Sequence, residues 1–436
     1  MKKTLAIILL ALCVGSAHAQ HIARYAGNRL VGSAGEGVAA TAAALNAPVS
    51  IAYDFAGNLY ISDINNSTIR RVNTSGIINV IAGGGTDTTN GVTPTSAYLF
   101  MPRGIAVNSG NIYVAVSGYR KVRKIVPGVS ITDVAGGGAA TTDSVPATSA
   151  NISRPIAVTF DQNGVLYIAS DDQHIYKVDT AGRIRKFAGN GSTGYVATDS
   201  IALSTPLNVP AGICSDQNNN IYIADQFNNV IRKVTPRGII STIAGNPAAS
   251  ANVDGVAATA TTLNSPTDVK VDNIGNIYIC EQGNNKIRKV DTFGIISTVT
   301  GTGTAGYSGD GGPALWATIN SPTGLAILNS NNIAVADTRN SLIRKITPST
   351  TETHILENAA TLAAYPNPTS DKITIEYPAF KAGDNIKIVS TTGITILEQA
   401  ANPKTTLDLT SFPTGQYFIQ VHSGNIVVAT QSVEKR

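Results

Sequence analysis

Four carboxylates recur in this chain at a fixed distance from an arginine. Asp63, Asp225, Glu281 and Asp337 are each followed seven residues later by Arg70, Arg232, Arg288 and Arg344, with Asn66, Asn228, Asn284 or Asn340 in between. A carboxylate at one strand end and an arginine early in the next can form a charge-assisted, bidentate pair. Four repetitions describe a scaffold, because a catalytic site is normally unique. Two further copies depart from the pattern: Arg123 follows Val116, and Tyr176 follows Ser170 one residue sooner. A function that breaks the symmetry is expected there, so Tyr119, Arg120, Asp171, Asp172 and His174 are the candidate binding residues.

Catalytic alternatives are thin. His174 is the one histidine inside the repeats, since His21, His354 and His422 lie outside them. A multi-histidine metal site in the repeats is therefore not expected, and no metal or cofactor is assigned. No Gly-x-Ser-x-Gly or comparable nucleophile motif occurs. His174 reads first as a solvated loop histidine and second as a general base beside Asp171 or Asp172.

The elements that carry these residues repeat six times. Pro48, Pro102, Pro155, Pro210, Pro266 and Pro322 mark the copies, 53–56 residues apart. A period held that closely is a repeat architecture. Each copy has four short runs rich in Val, Ile, Tyr and Thr, separated by Gly, Asn and Asp; in the fifth they are 267–271, 276–280, 286–290 and 294–299. Four sequential strands with tight connections predict an antiparallel blade, and six blades an all-β, six-bladed propeller, with a solenoid as the competing arrangement. The segment 22–27 resembles the end of a repeat, while the sixth copy lacks a fourth strand. Circular closure is therefore expected, residues 22–26 supplying the outer strand of the last blade; Thr353–Leu356 is the alternative. In a meander, the turn after strand two and the connection after strand four leave from one face, so the Asp/Asn turns and six insertions of some 15 residues share it. Ligands are expected on that face. Glu36, Asn90, Asp143, Asp199, Asp254 and Asp310 hold nearly one register in the insertions, as caps or Asx turns, with a cation-binding ring as the sharper alternative.

Met1-Lys-Lys, an apolar run over 4–14 and Ala17-His-Ala19 form a secretory signal cleaved after Ala19, with a lipoprotein at Cys13 as the alternative. No later segment is long and apolar enough to span a bilayer. Charged residues are 14% and the formal charge is +4; with no basic stripe, a nucleic-acid partner is not expected. Cys214 and Cys280 fall where other copies carry small residues and read as packed thiols; a bridge between them stays open.

Residues 349–361 read as a linker, spanning 351–361 between two domains at 20–350 and 362–436. The last 75 or so residues lack the repeat and alternate strands with Gly and Pro turns, a small Ig-like β-sandwich pattern.

The units Asn-x-Pro-x-Gly, Gly-Asn-Ile-Tyr-Ile-Ala-Asp and Asn-x-x-Ile-Arg-Lys-Val resemble NHL repeats over about residues 22–350. The insertion from Gly306 to Ala314 resembles that of the long bacterial extracellular form. Tyr365-Pro366-Asn367-Pro368, Ile386–Gly393 and Leu407–Phe418 with Gly415 resemble the C-terminal sorting domain of the type IX secretion system. The resemblance implies a chain sent through the periplasm of a Bacteroidetes-type cell to the surface or the medium, and a monomer is expected. There it would be a non-catalytic binding scaffold for protein or glycan ligands. An extracellular lyase or hydrolase built around His174 and a structural surface component are the alternatives.

Overall fold

The computed structural model describes residues 20–329, 332–348, 362–377, 381–390, 395–423 and 426–436. The signal over 1–19, the linker over 351–361 and the alternative closing strand Thr353–Leu356 lie outside the described residues. The chain divides into two compact units between Pro348 and Ser349.

The first unit is a six-bladed propeller. In its first blade Pro48–Tyr53, Leu59–Asp63, Thr68–Val72 and Ile77–Gly83 pair antiparallel in sequence order. The other blades repeat this order, each innermost strand starting at a marker proline. Proline's missing N–H is tolerated at a strand's first residue. Innermost strands touch their neighbours around a closed ring, Pro322–Asn329 returning to Pro48–Tyr53, so the arrangement is not a solenoid. Their convergence is served by small residues two positions after five of the six prolines, Ser50, Gly104, Ala157, Gly212 and Gly324, with Asp268 at the equivalent place in the fifth blade. A Cβ on Gly104 would lie 2.5 Å from the Ala157 Cα.

Gln20–Ala26 is the outer strand of the last blade. It pairs with Leu342–Pro348, His21 opposite Thr347 and Ile22 opposite Ile346. Closure by the N-terminus removes two open sheet edges. The glycine ending this strand, Gly27, is equivalent to Gly83, Gly136, Gly189, Gly245 and Gly301. All six have positive φ, and a Cβ on any of them would come within 1.9–2.5 Å of a turn carbonyl oxygen. The Ala-Gly or Thr-Gly step in every copy follows from that contact.

The insertions leave the expected face but do not remain loops upon it. Each folds back along the outer edge of the blade it precedes. In five blades two residues of the insertion add a fifth strand, as Val38–Ala39 does beside Ile77–Gly83. In the second, Gly91 and Val92 bond Ile131 without becoming a named strand. Burying a sheet edge blocks pairing with other chains.

The second unit is an Ig-like sandwich. Ala363–Tyr365, Lys372–Glu376 and Lys404–Asp408 form one sheet, and Thr395–Ala400, Asp384–Ser390, Gly415–Ser423 and Ile426–Lys435 the other. Ile373, Ile375, Ile386, Ile388, Ile419 and Val421 fill the space between them.

Candidate functional site

The repeated arginines are structural, in a way their spacing did not disclose. Arg70, Arg123, Arg232, Arg288 and Arg344 are the largest fully buried side chains among the described residues. Each guanidinium lies under the insertion preceding its blade. Arg70 donates to the carbonyls of Ala44 and Gly35 at 2.7 Å, Arg123 to Thr89 at 2.8 Å, Arg232 to Val196 and Arg288 to Val253 at 2.9 Å, and Arg344 to Ser308 at 3.0 Å.

The expected bidentate pairing with the strand-two acid does not occur. Arg288 meets Glu281 through one nitrogen at 3.2 Å, and Arg344 reaches Asp337 only at 3.9 Å. Asp63, Asp225 and Asp337 instead accept the side-chain amides of Asn66, Asn228 and Asn340 and the backbone N–H of Asn46, Asn208 and Asn320. Burial pushes all three carboxyls up to about 6, although these hydrogen bonds and the arginines oppose it.

The insertion register serves the same slot. Oxygens of Glu36, Asn90, Asp143 and Asp254 accept the backbone N–H of Val80, Asp133, Lys186 and Thr298 on the fourth strands. Asp254 and Asp310 also pair with Arg288 and Arg344 at 2.6 Å. These side chains pin insertions to blades; they are not helix caps, for the adjoining 3-10 turns have no side-chain cap.

The five candidate residues fall in three separate places. Tyr119 packs in an aromatic cluster with Tyr98 and Phe100, ring centroids about 6 Å apart. Arg120 beside it takes a left-handed conformation that ends the turn. Asp172, His174 and Tyr176 occupy the third blade's arginine slot, whose remaining space is a cavity of about 180 Å³ also lined by Asp143 and Lys186. The Tyr176 hydroxyl donates to Asp172 at 2.6 Å, and His174 Nδ1 lies 3.6 Å from the other oxygen. Burial opposes ionisation of Asp172, but these two neighbours outweigh it and hold the carboxyl below its usual range. His174 is only 9% exposed and is therefore not the solvated loop histidine that its neighbours in sequence suggested. Ser170 and Tyr176 replace acid and arginine together, so this slot holds no unpaired guanidinium.

Asp171 points elsewhere, to the mouth of the central channel. It pairs with Arg154 at 2.5 Å and influences Arg103. The channel holds a cavity of about 180 Å³ where all six innermost strands meet. The residue after each marker proline lines it: Val49, Arg103, Ile156, Ala211, Thr267 and Thr323. Gln226 and Gln282, the first residues of two strand-two turns, place this mouth on the face with the Asp/Asn turns. Inside, Asp268 and Lys270 pair at 2.6 Å, and Asp268 also accepts the Leu325 N–H at 2.9 Å. Burial, then the nearby Arg154, lowers the pKa of Arg103. Arg103 and Arg154 were missed by sequence reading. The available signal was a charged residue at a position that is otherwise apolar, small or hydroxylic.

Cys214 and Cys280 are buried free thiols in different clusters. Burial pushes the Cys214 thiol up to about 12.

Residues 363–435 match the secretion system C-terminal sorting domain, and residues 320–346 match the NHL repeat. The chain is an NHL-repeat propeller with a C-terminal sorting domain. The propeller is similar to part of human Teneurin-4, 28% identical over 344 residues; the match covers 69% of this chain but 12% of that much longer relative. In fold it resembles a Bacteroides thetaiotaomicron protein of unknown function, with a TM-score of 0.57, 17% identity and 76% of each chain covered. It also resembles an auxiliary nutrient binding protein from Bacteroides ovatus, with a TM-score of 0.54, 14% identity and 76% and 77% covered.

The sorting domain directs the NHL propeller to the cell surface or the medium by the type IX route. No helix among the described residues is long and apolar enough to cross a membrane. The domain's Tyr-Pro-Asn-Pro segment is tied to its last strand. The Asn367 side-chain oxygen accepts the Glu434 N–H at 2.9 Å, and the Tyr365 hydroxyl reaches Glu376 at 2.6 Å. Gly415 opens the long strand Gly415–Ser423.

Proposed function

We propose that the exported propeller is a non-catalytic, monomeric binding scaffold that takes a protein or glycan ligand at its channel mouth. We further propose that it matures by loss of residues 1–19 and of the sorting domain. One observation carries the binding reading. At the mouth, repeat-equivalent positions hold non-equivalent residues: Arg103 against Val49 and Ile156, and Gln226 and Gln282 against Ile64 and Ser117. A ring that served architecture alone would have no need of that variety. Rigid strands beneath these side chains hold them in place, as binding requires.

The likeness in fold to a nutrient binding protein is compatible with this role, though a fold alone does not assign a ligand. Glycan arrays and pull-downs from culture medium, run with the protein and with a Gln226→Ala/Gln282→Ala variant, test the reading. Capture that the variant abolishes supports it. Capture that this variant leaves intact and a His174→Ala variant abolishes would move the site to the third blade.

A further inference from the structure

We propose that Arg103 makes the channel mouth a receptor for the carboxylate of a small ligand. This rests on the channel-mouth reading above and adds the chemistry of the guest.

Every other cation named at the channel has its own carboxylate. Lys270 holds Asp268 at 2.6 Å, and Arg154 holds Asp171 at 2.5 Å. Arg103 has neither hydrogen-bond nor ion-pair partner among the described residues, although its side chain is partly buried and lines the cavity. The cluster of Arg103, Arg154 and Asp171 thus sets two guanidiniums against one carboxylate and keeps a positive charge. A guanidinium offers five N–H donors and accepts nothing, and the group that matches its planar fork is a carboxylate held bidentate. A charge withdrawn from water without a partner is costly, and an incoming anion removes that cost.

The rest of the cavity fits a compact guest. Val49, Ile105 and Ile156 supply an apolar wall, while the Gln282 side chain, which has no hydrogen-bond partner among the described residues, can bond a hydroxyl or carbonyl. About 180 Å³ admits one small unit rather than a folded surface. The carboxylate can come from a uronic acid or from a free organic acid; the chemistry that Arg103 reads is the same.

Calorimetric titration of the purified full-length protein with galacturonate, glucuronate, succinate, galactose, sulfate and phosphate tests this. Carboxylates are expected to bind at least tenfold more tightly than galactose, and more weakly as salt is raised. Arg103→Gln is expected to lose at least tenfold in affinity while the melting temperature stays level or rises, because the variant removes an unpaired, partly buried charge. Arg103→Lys should keep part of the binding. Preference for uronates over succinate would name a sugar acid as the source, and the reverse a free organic acid; both uphold the proposal. Absence of carboxylate binding, carboxylate binding that Arg103→Gln leaves unchanged, or binding of sulfate and phosphate alone overturns it. Galactose binding lost in Gln226→Ala/Gln282→Ala but untouched in Arg103→Gln would overturn the carboxylate and keep the channel mouth.

Discussion

Asp133 lies 3.0 Å from Nε of Arg123, facing it from the fourth strand of the second blade. The strand-two acid of that blade is replaced by Val116, and Asp133 supplies the missing charge from another strand. It also holds Lys121 at 2.6 Å. A buried guanidinium deprived of its partner is expensive, so the acid moved rather than vanished.

Removing it should therefore cost more than a surface change. Asp133→Asn is expected to destabilise the propeller by about 3 kcal/mol, as breaking a buried ion pair does. Adding Val116→Asp together with Tyr119→Asn, which restores the strand-two acid and the asparagine that holds it in four other blades, should recover part of the loss. Denaturant melts of the three variants and the parent measure both. A loss below about 0.5 kcal/mol for Asp133→Asn would show that Arg123 needs no carboxylate.

The closing strand makes stability depend on the N-terminus. Deleting residues 20–27 exposes the edge of Leu342–Pro348 and uncovers the cluster around Ile22, which is fully buried. The whole propeller is expected to melt at least 10 °C lower in one cooperative step, since several kcal/mol of burial and strand pairing disappear. A melt that matches the full-length protein would show that the ring closes without this strand.

Asp63, Asp225 and Asp337 give the propeller a pH dependence of known sign. Their folded carboxyls titrate at about 6, above the ordinary 3.8. Between those values the native state binds more protons than the unfolded chain, so stability falls as pH rises. The contribution is fully present below about pH 4 and lost through about pH 6, roughly 3 kcal/mol for each group. Chemical denaturation at pH 4.5 and 7.5 checks it. Asp337→Asn, which cannot ionise, should shrink the difference; an unchanged difference would remove Asp337 from the account.

Export should separate from folding. Deleting residues 362–436 is expected to leave a folded, protease-resistant propeller in the periplasm and none outside. Fractionation followed by mass spectrometry reads this directly. Normal export of the truncated chain would contradict the sorting assignment, and an intact Arg436 on the surface form would contradict removal of the tail.

The sequence alone determined the period and the strand order. Strand patterns and turn glycines act over a few residues, so a proline every 53–56 residues and an orphan strand at 22–26 pointed to a ring, and the pairing of that strand with Leu342–Pro348 decided it over a solenoid. The sorting motifs were legible for the same reason, as short contiguous strings. What the arginines touch was decided only by the tertiary structure. Arg70 bonds Gly35 and Asn90 holds Asp133, partners 35 and 43 residues apart, because each insertion turns back along its blade. Spacing suggested an acid–arginine pair; the fold put carbonyls around the guanidinium and sent the acid to an asparagine. Tertiary structure likewise separated Asp171 from Asp172 and buried His174. Asp171 and Asp172 lie in the turn between Leu166–Ser170 and His174–Val178, where the reversing backbone aims successive side chains in different directions, one at Arg154 and one at Tyr176. Arg103 became a candidate only when six innermost strands met, since an unpaired charge cannot be recognised until every possible partner has been placed.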